Sequence, residues 1–293
     1  MSKSGAKLLL TAVFIARGSS FLFSKNLMGT MPPMSVLAVR FTLAFLILAL
    51  LFGGKLRKCS RASLKGGLIL GVLYNVCMIF EMYGLRLVDS GVSALIENMA
   101  ILFVPLYVAL WTRTWPKAKT LFCAVMAIAG VGLLSISQMS LTGGGLGIFL
   151  IICAALTYGF CIIATEKVSH NGDPVSIGII QLGVMGFLSL AVALLTESFT
   201  LPAGKIQWTM ILFLVLICSC FGFTFQPVGQ RYLPAETAAV LTVINPLTAS
   251  IMGVVIAHEG LTIAKGAGYI VILLALVIYN KNTEKKLNQG TKI

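Results

Sequence analysis

Apolar residues run along this chain in blocks of about twenty, the length that a helix needs to cross a bilayer core of about 30 Å. Ten blocks reach that length, at approximately 7–27, 33–53, 66–87, 91–112, 118–138, 144–165, 175–196, 208–229, 235–257 and 264–281. The segments between them carry turn chemistry. Gly29, Pro32 and Pro33 part the first two blocks, and Gly53 and Gly54 with a basic run part the next two. Gly143, Gly144 and Gly145 open the sixth block, and Asn171-Gly172-Asp173-Pro174 closes it. No separator is long enough to hold a soluble domain. The first block is too long for a signal-peptide core, contains Arg17 and leads straight into further blocks. The pattern predicts an all-α polytopic membrane protein with ten transmembrane helices.

Composition agrees. The 293 residues are 58% hydrophobic and 11% charged, against roughly 25% charged in a soluble domain, and the mean hydropathy is +0.98. These values argue against a cytosolic enzyme, a disordered chain or a nucleic-acid-binding domain. The net charge of +13 alone suggests an acidic partner, but its distribution gives it another meaning. With the N-terminus placed inside, 16 of the 22 basic residues fall on the cytoplasmic side, and four (Lys25, Arg86, Lys205 and Lys265) fall on the other. The positive-inside rule then places both termini in the cytoplasm, in the cytoplasmic membrane, with an even number of spans. Trp111, Trp115 and Trp208 fall at predicted span ends, as an interfacial belt requires. The run from Lys55 to Lys65 reads as an anchor on anionic lipid headgroups, not as a nucleic-acid site. The seven cysteines lie mostly in apolar runs, where they behave as small hydrophobes. Cys218 and Cys220 have no histidine or acidic neighbour in sequence to complete a zinc site. No cofactor is expected.

The chain also reads as a duplication, residues 1–140 followed by 141–293. At an offset of 141, Gly18 meets Gly159, Pro33 meets Pro174 and Ser35 meets Ser176. Later in each half an offset of 146 matches Leu95 with Leu241, Lys119 with Lys265 and Val125 with Val271. Five spans per half is an odd number, so the second half must enter the membrane from the opposite side. Two inverted five-helix repeats suit alternating access around a site near the midplane. This layout favours a transporter over a receptor, scaffold or membrane enzyme.

On these features the sequence resembles the drug/metabolite transporter superfamily, in its ten-helix EamA branch. The resemblance rests on Gly18-Ser19-Ser20-Phe21, on Pro33 followed by Arg40-Phe41, on Asn245-Pro246, and on His258-Glu259-Gly260-Leu261-Thr262. It implies transport of small metabolites, often export of amino acids or related compounds. It also implies a cavity lined by spans one to four and six to nine, with spans five and ten at the periphery. Where the family pattern has a tryptophan before the first Gly-Ser, this chain has Arg17; where a proline is expected opposite Pro246, it has Ala100.

Charges inside spans are the informative residues, because each costs at least about 2.5–3.5 kcal/mol at the centre of a spanning helix. Four qualify: Arg17, Arg40, Glu81 and Glu97. All lie in the first half. The aligned places in the second half hold Tyr158, Gln181 and Val243 opposite Arg17, Arg40 and Glu97, so charge breaks the pseudo-symmetry. Helical spacing puts Arg17, Ser20 and Ser24 on one stripe, Tyr74, Cys77 and Glu81 on another, and Thr237, Leu241, Asn245 and Thr248 on a third. A fourth stripe carries Ser90, Ala94, Glu97 and Ile101, with Asn98 beside it. Such stripes should turn away from lipid. The candidate substrate-binding or coupling residues are therefore Arg17, Arg40, Tyr74, Glu81, Glu97, Asn98, Tyr158, Gln181 and Asn245. Each has a plainer alternative. Arg40 can pair with Glu81 or Glu97, Glu81 can be solvated, and the amides can be interhelical glue. Gln226-Pro227 and Asn245-Pro246 should loosen their spans, since proline removes a donor.

The expected function is secondary transport of small polar metabolites, such as zwitterions, by alternating access. A non-transporting receptor or scaffold is the alternative. No phosphate-binding loop is present, so an ion gradient is the expected energy source, with a proton or other ion as coupling partner. The remaining partners are membrane lipid and, in a homodimer, a second copy; nucleic acid is not expected.

Overall fold

The computed structural model describes residues 1–113, 118, 122, 123, 125, 126, 128–130, 133, 143–258, 260 and 262–290. Every regular element among them is a helix. The first half holds α1 (Lys3–Leu27), α2 (Pro33–Arg57), α3 (Arg61–Leu87), α4 (Ser90–Glu97) and α5 (Ala100–Thr112). After it come α6 (Gly144–Asn171), α7 (Pro174–Thr196), α8 (Gly204–Phe213), a π-helical stretch (Leu214–Phe223) and α9 (Thr224–Gln230). Last are α10 (Ala235–Leu241), α11 (Ile244–Val255) and α12 (Ile263–Gly290).

The helix starts follow from the separators. Ser60 accepts from the Ser63 amide at the head of α3, and Asp173 accepts from the Ser176 amide at the head of α7. Pro33 and Pro174 take first-turn positions, where a missing N–H costs no bond. Gly143 precedes α6 at φ 80°, a left-handed conformation that glycine adopts without strain.

Eight stretches are long and apolar enough to cross a membrane: Lys3–Leu27, Pro33–Arg57, Arg61–Leu87, Ser90–Tyr107, Gly144–Asn171, Pro174–Thr196, Gly204–Gln230 and Thr237–Val255. They correspond to predicted spans one to four and six to nine. The tenth predicted span appears as the shorter apolar stretch Gly266–Ala275 within α12. Most of the fifth, 118–138, lies outside the described residues, as do Trp115, Lys117, Lys119, Glu259 and Leu261 and the side chain of Trp111. Large apolar side chains cover the outside of the bundle, among them Leu50, Phe187 and Leu195, each more than two-thirds exposed. On a soluble protein such a surface would be a liability; here it is the lipid contact of a multi-pass membrane protein.

Three spans differ from the uninterrupted helices that their length predicts. The fourth breaks between Glu97 and Ala100, where Met99, Ile101 and Leu102 donate three residues back and the turn tightens. The ninth breaks between Leu241 and Ile244, three residues ahead of Pro246, which cannot donate to Thr242. In the eighth, Pro227 cannot donate to Phe223, and the preceding ten residues wind as a wider π-helix. The break in the fourth span falls inside the predicted Ser90–Ile101 stripe, between Glu97 and Ile101.

Helices of the two halves pack mainly on each other. α3 lies against α6 and α7, α2 against α7, and α1 against α11 and the π-helical stretch. Small residues permit the close approaches. A Cβ on Gly18 would come within 2.6 Å of the Asn245 carbonyl oxygen on α11, and one on Gly178 within 2.7 Å of the Thr224 backbone on α9.

Candidate functional site

Arg17, on α1, is 5% exposed. Its Nη1 donates to Gln226 Oε1 at 2.6 Å and to Tyr158 Oη at 3.1 Å. Its guanidinium carbon lies 4.6 Å from the ring centroid of Phe223, 4.9 Å from Tyr158 and 5.6 Å from Tyr74. A cation within about 6 Å of a ring face is drawn by the ring quadrupole. The rings brace one another edge to face, Tyr74 with Phe223 at 5.6 Å and with Tyr158 at 6.2 Å. Gly222 makes room for the arginine stem, since a Cβ there would stand 3.2 Å from Arg17 Cγ.

The hydrogen bonds continue beyond Arg17. Gln226 Nε2 donates to Tyr74 Oη at 2.9 Å, and Tyr74 Oη lies 3.3 Å from Thr165 Oγ1. Thr165 gives its own proton to the Cys161 carbonyl at 2.6 Å, so Tyr74 is the donor to Thr165. One buried network thus joins α1, α3, α6 and α9. Gln226 is its centre, bonded to both Arg17 and Tyr74. Arg17 and Tyr158, matched at an offset of 141 along the sequence, touch each other.

Arg40 on α2 is 2% exposed and donates from Nε to Ser219 Oγ at 2.7 Å, in the π-helical stretch. Its guanidinium carbon lies 5.0 Å from the Phe41 ring and 5.8 Å from the Phe223 ring. Phe223 therefore neighbours both arginines. Among the described residues no carboxylate oxygen lies within 4.0 Å of either guanidinium. The ion pair between Arg40 and Glu81 or Glu97 is thus not formed; Ser219 turns Arg40 toward the eighth span instead. Glu81 on α3 and Glu97 at the end of α4 lie close enough to interact electrostatically. Glu81 is 3% exposed, so it is not a solvated group. Cys77 Sγ lies 3.9 Å from Glu97 Oε1. Arg17 is within electrostatic reach of both carboxyl groups, and Arg40 of Glu81.

Comparison with known proteins settles the family. The model of the EamA-like transporter family matches twice, over residues 3–136 and 145–281. The chain belongs to the EamA-like transporter family. It is 22% identical over its whole length to the uncharacterized transporter YvbV of Bacillus subtilis (strain 168), covering 96% of that protein. It is 24% identical to the uncharacterized inner membrane transporter YedA of Escherichia coli (strain K12), over 92% of this chain and 88% of that one. A protein of known crystal structure superposes with a TM-score of 0.72 at 17% identity, covering 97% of this chain and 99% of its own, which shows the shared fold. The family and these relatives are transporters, not enzymes.

The other predicted residues of this EamA-like chain sit around the centre with less bonding. Asn98 lies in the break of the fourth span, 2% exposed, and neither its Oδ1 nor its Nδ2 has a hydrogen-bond partner among the described residues. Asn245 stands beside the break of the ninth span with its Oδ1 equally unpartnered. Gln181 on α7 donates weakly to Met185 Sδ at 3.9 Å, and its Oε1 is unpartnered. No described hydrogen bond ties Gln181 to the Arg17 network. Asn75 does act as glue, accepting from Ser189 on α7 at 2.8 Å.

Two functional neighbours escape the sequence reading, Phe223 and Ser219. Neither residue type stands out in an apolar span, and the π-helical winding of Leu214–Phe223 departs from the α-helical spacing that the sequence reading uses. Glu197 is a third omission. It accepts from Tyr83 Oη at 2.7 Å and from the Met34 amide at 3.0 Å, tying the end of α7 to the starts of α2 and the last turns of α3. An open cavity of about 740 Å³ lies at the opposite ends of these helices, bordered by Lys55, Lys58, His170, Asp173 and Arg231. It is separate from the Arg17 network, which is buried.

Proposed function

We propose that this EamA-like chain is a secondary transporter of small polar metabolites, of the amino-acid type, exporting them by alternating access. The observation that carries the reading is the buried network of Arg17, Tyr158, Gln226 and Tyr74, built from helices of both halves. Four buried charges in an apolar bundle are costly unless they serve a polar path. Breaks in the fourth and ninth spans, beside Glu97 and Asn245, are the irregular backbone that lines transporter sites. In this reading residues 1–140 and 141–293 are inverted five-helix repeats, with both termini in the cytoplasm. The contact between the offset mates Arg17 and Tyr158 supports a pseudo-two-fold axis through the centre.

A zwitterion suits the charges. Arg40 has two terminal nitrogens, and Arg17 its Nε and Nη2, with no described partner. Two guanidiniums offer donors to a carboxylate, while Glu81 and Glu97 offer acceptors to an amine. Energy would come from an ion gradient, with Glu81 or Glu97 as the proton carrier. Purified protein in proteoliposomes, assayed with a panel of radiolabelled amino acids, tests this. Wild type is expected to move at least one of them, and Arg17→Ala and Glu97→Gln to lose about tenfold or more of that flux. Full flux in both variants would refute the site. Flux indifferent to an imposed pH gradient would remove the proton.

A further inference from the structure

We infer that Arg17 is a built-in cation filling an aromatic cage, and that it sets the charge preference of the site by excluding organic cations. The inference rests on the transport reading above for its biological meaning, but its chemistry stands on geometry alone.

Three ring faces surround the Arg17 guanidinium at 4.6, 4.9 and 5.6 Å, contributed by the π-helical stretch, α6 and α3. Such a set of aromatic faces is the arrangement that recognises quaternary ammonium groups. Glu81 and Glu97, within electrostatic reach, add acidic charge to the same neighbourhood. Without Arg17 the centre would be a cation site: aromatic faces, a glutamine oxygen, a tyrosine hydroxyl and two carboxyl groups. With Arg17 in place the faces are already covered and Gln226 Oε1 and Tyr158 Oη are already engaged. A soluble ammonium ion would have to displace a tethered cation held by two hydrogen bonds. What Arg17 leaves available is donor capacity, on its Nε and Nη2 and on Arg40 beyond the shared Phe223 ring. Donors of that kind receive anionic groups. The chain is therefore built to take the acidic end of a substrate at the arginines and to keep its basic end off the rings, toward Glu81 and Glu97.

The test removes the tethered cation and offers a free one. Full-length wild type and Arg17→Ala, purified in detergent, are titrated with tetramethylammonium, with methylguanidinium and with tert-butanol as a neutral control of similar bulk, and thermal stability is followed. Arg17→Ala is expected to bind both cations at least about tenfold more tightly than wild type does, and tert-butanol no better. Adding Phe223→Leu to Arg17→Ala should abolish that gain. Equal cation binding by wild type and variant, or binding of the alcohol as well as the ammonium, overturns the inference. If Arg17→Ala is extracted in aggregated form, millimolar methylguanidinium during extraction should restore a monodisperse protein, and failure to restore it also overturns the inference. The assay needs no flux. A chain that transports nothing but gains a cation site on losing Arg17 would refute the transport reading and leave the cage standing.

Discussion

Asp173 shows what one side chain does at the entrance to a span. Its Oδ2 accepts from the Ser176 amide at 2.9 Å and from Ser176 Oγ at 2.7 Å, which caps α7. Its own amide donates to Ser63 Oγ on α3 at 2.9 Å, and Lys55 Nζ stands 3.7 Å from Oδ1. Partial burial pushes the carboxyl group upward, but the Ser176 hydrogen bonds and the Lys55 charge outweigh it and hold it below the ordinary aspartate value. A group depressed in the folded state stabilises above its unfolded value and loses that contribution as pH falls through its folded value. Asp173→Ala should thus lower stability by about 1 kcal/mol at neutral pH. The gap to wild type should close as pH falls below ~3.9. Thermal melts of the detergent-solubilised proteins across pH read both effects, and a gap unchanged down to acid pH would show that the cap does not depend on charge. At this scale the sequence was informative where a residue type was conspicuous. An arginine or glutamate inside an apolar run stands out because of its desolvation cost, so Arg17, Arg40, Glu81 and Glu97 were all legible. Phe223 was not, being one of 17 phenylalanines in an apolar chain. Nor was the partner of Arg40: opposite charge suggested a glutamate, and a serine presented by the π-helical stretch took its place.

Between elements, the close contacts fall on glycines, and they separate packing positions from permissive ones. A Cβ at Gly18 would meet the Asn245 carbonyl oxygen at 2.6 Å and Thr248 Cβ at 2.9 Å, so α1 would have to move off α11. Gly54 on α2 has nothing within 4 Å of such a Cβ. Gly18→Ala should therefore cost about 1–3 kcal/mol. Gly54→Ala should leave stability unchanged or raise it by up to about 1 kcal/mol, through better helix propensity. Paired thermal melts decide, and equal melting of the two variants would mean that α1 and α11 can separate without cost. Span positions were legible because the bilayer dictates their length, and eight predicted spans have counterparts in the structure. Span interruptions were legible only where proline announced them, at Pro227 and Pro246. The break between Glu97 and Ala100 has no proline at its own position, since Pro105 lies further on inside α5. Two short apolar helices in series give the same hydropathy as one long one. That break is nevertheless the one beside the candidate carboxylate.

For the molecule as a whole, charge placement gives an expected orientation in the membrane. Basic residues near short loops resist translocation, so the side that carries them stays in the cytoplasm. Lys55, Arg57, Lys58 and Arg61 stand in and beside the turn between α2 and α3, whereas Lys205, in the first turn of α8, is the basic residue beside the loop between α7 and α8. The structure puts these two turns at opposite ends of the bundle: Asp173, at the α6–α7 turn, meets Lys55, while Glu197, at the far end of α7, meets the start of α2. Cys59, half-buried in the first turn, should therefore lie in the cytoplasm. Ala203, exposed in the second, should lie outside. A membrane-impermeant maleimide applied to intact bacterial cells should label Ala203→Cys made in a Cys59→Ser background, and should spare native Cys59 until the membrane is permeabilised. Labelling of Cys59 in intact cells, with Ala203→Cys protected, would invert the topology.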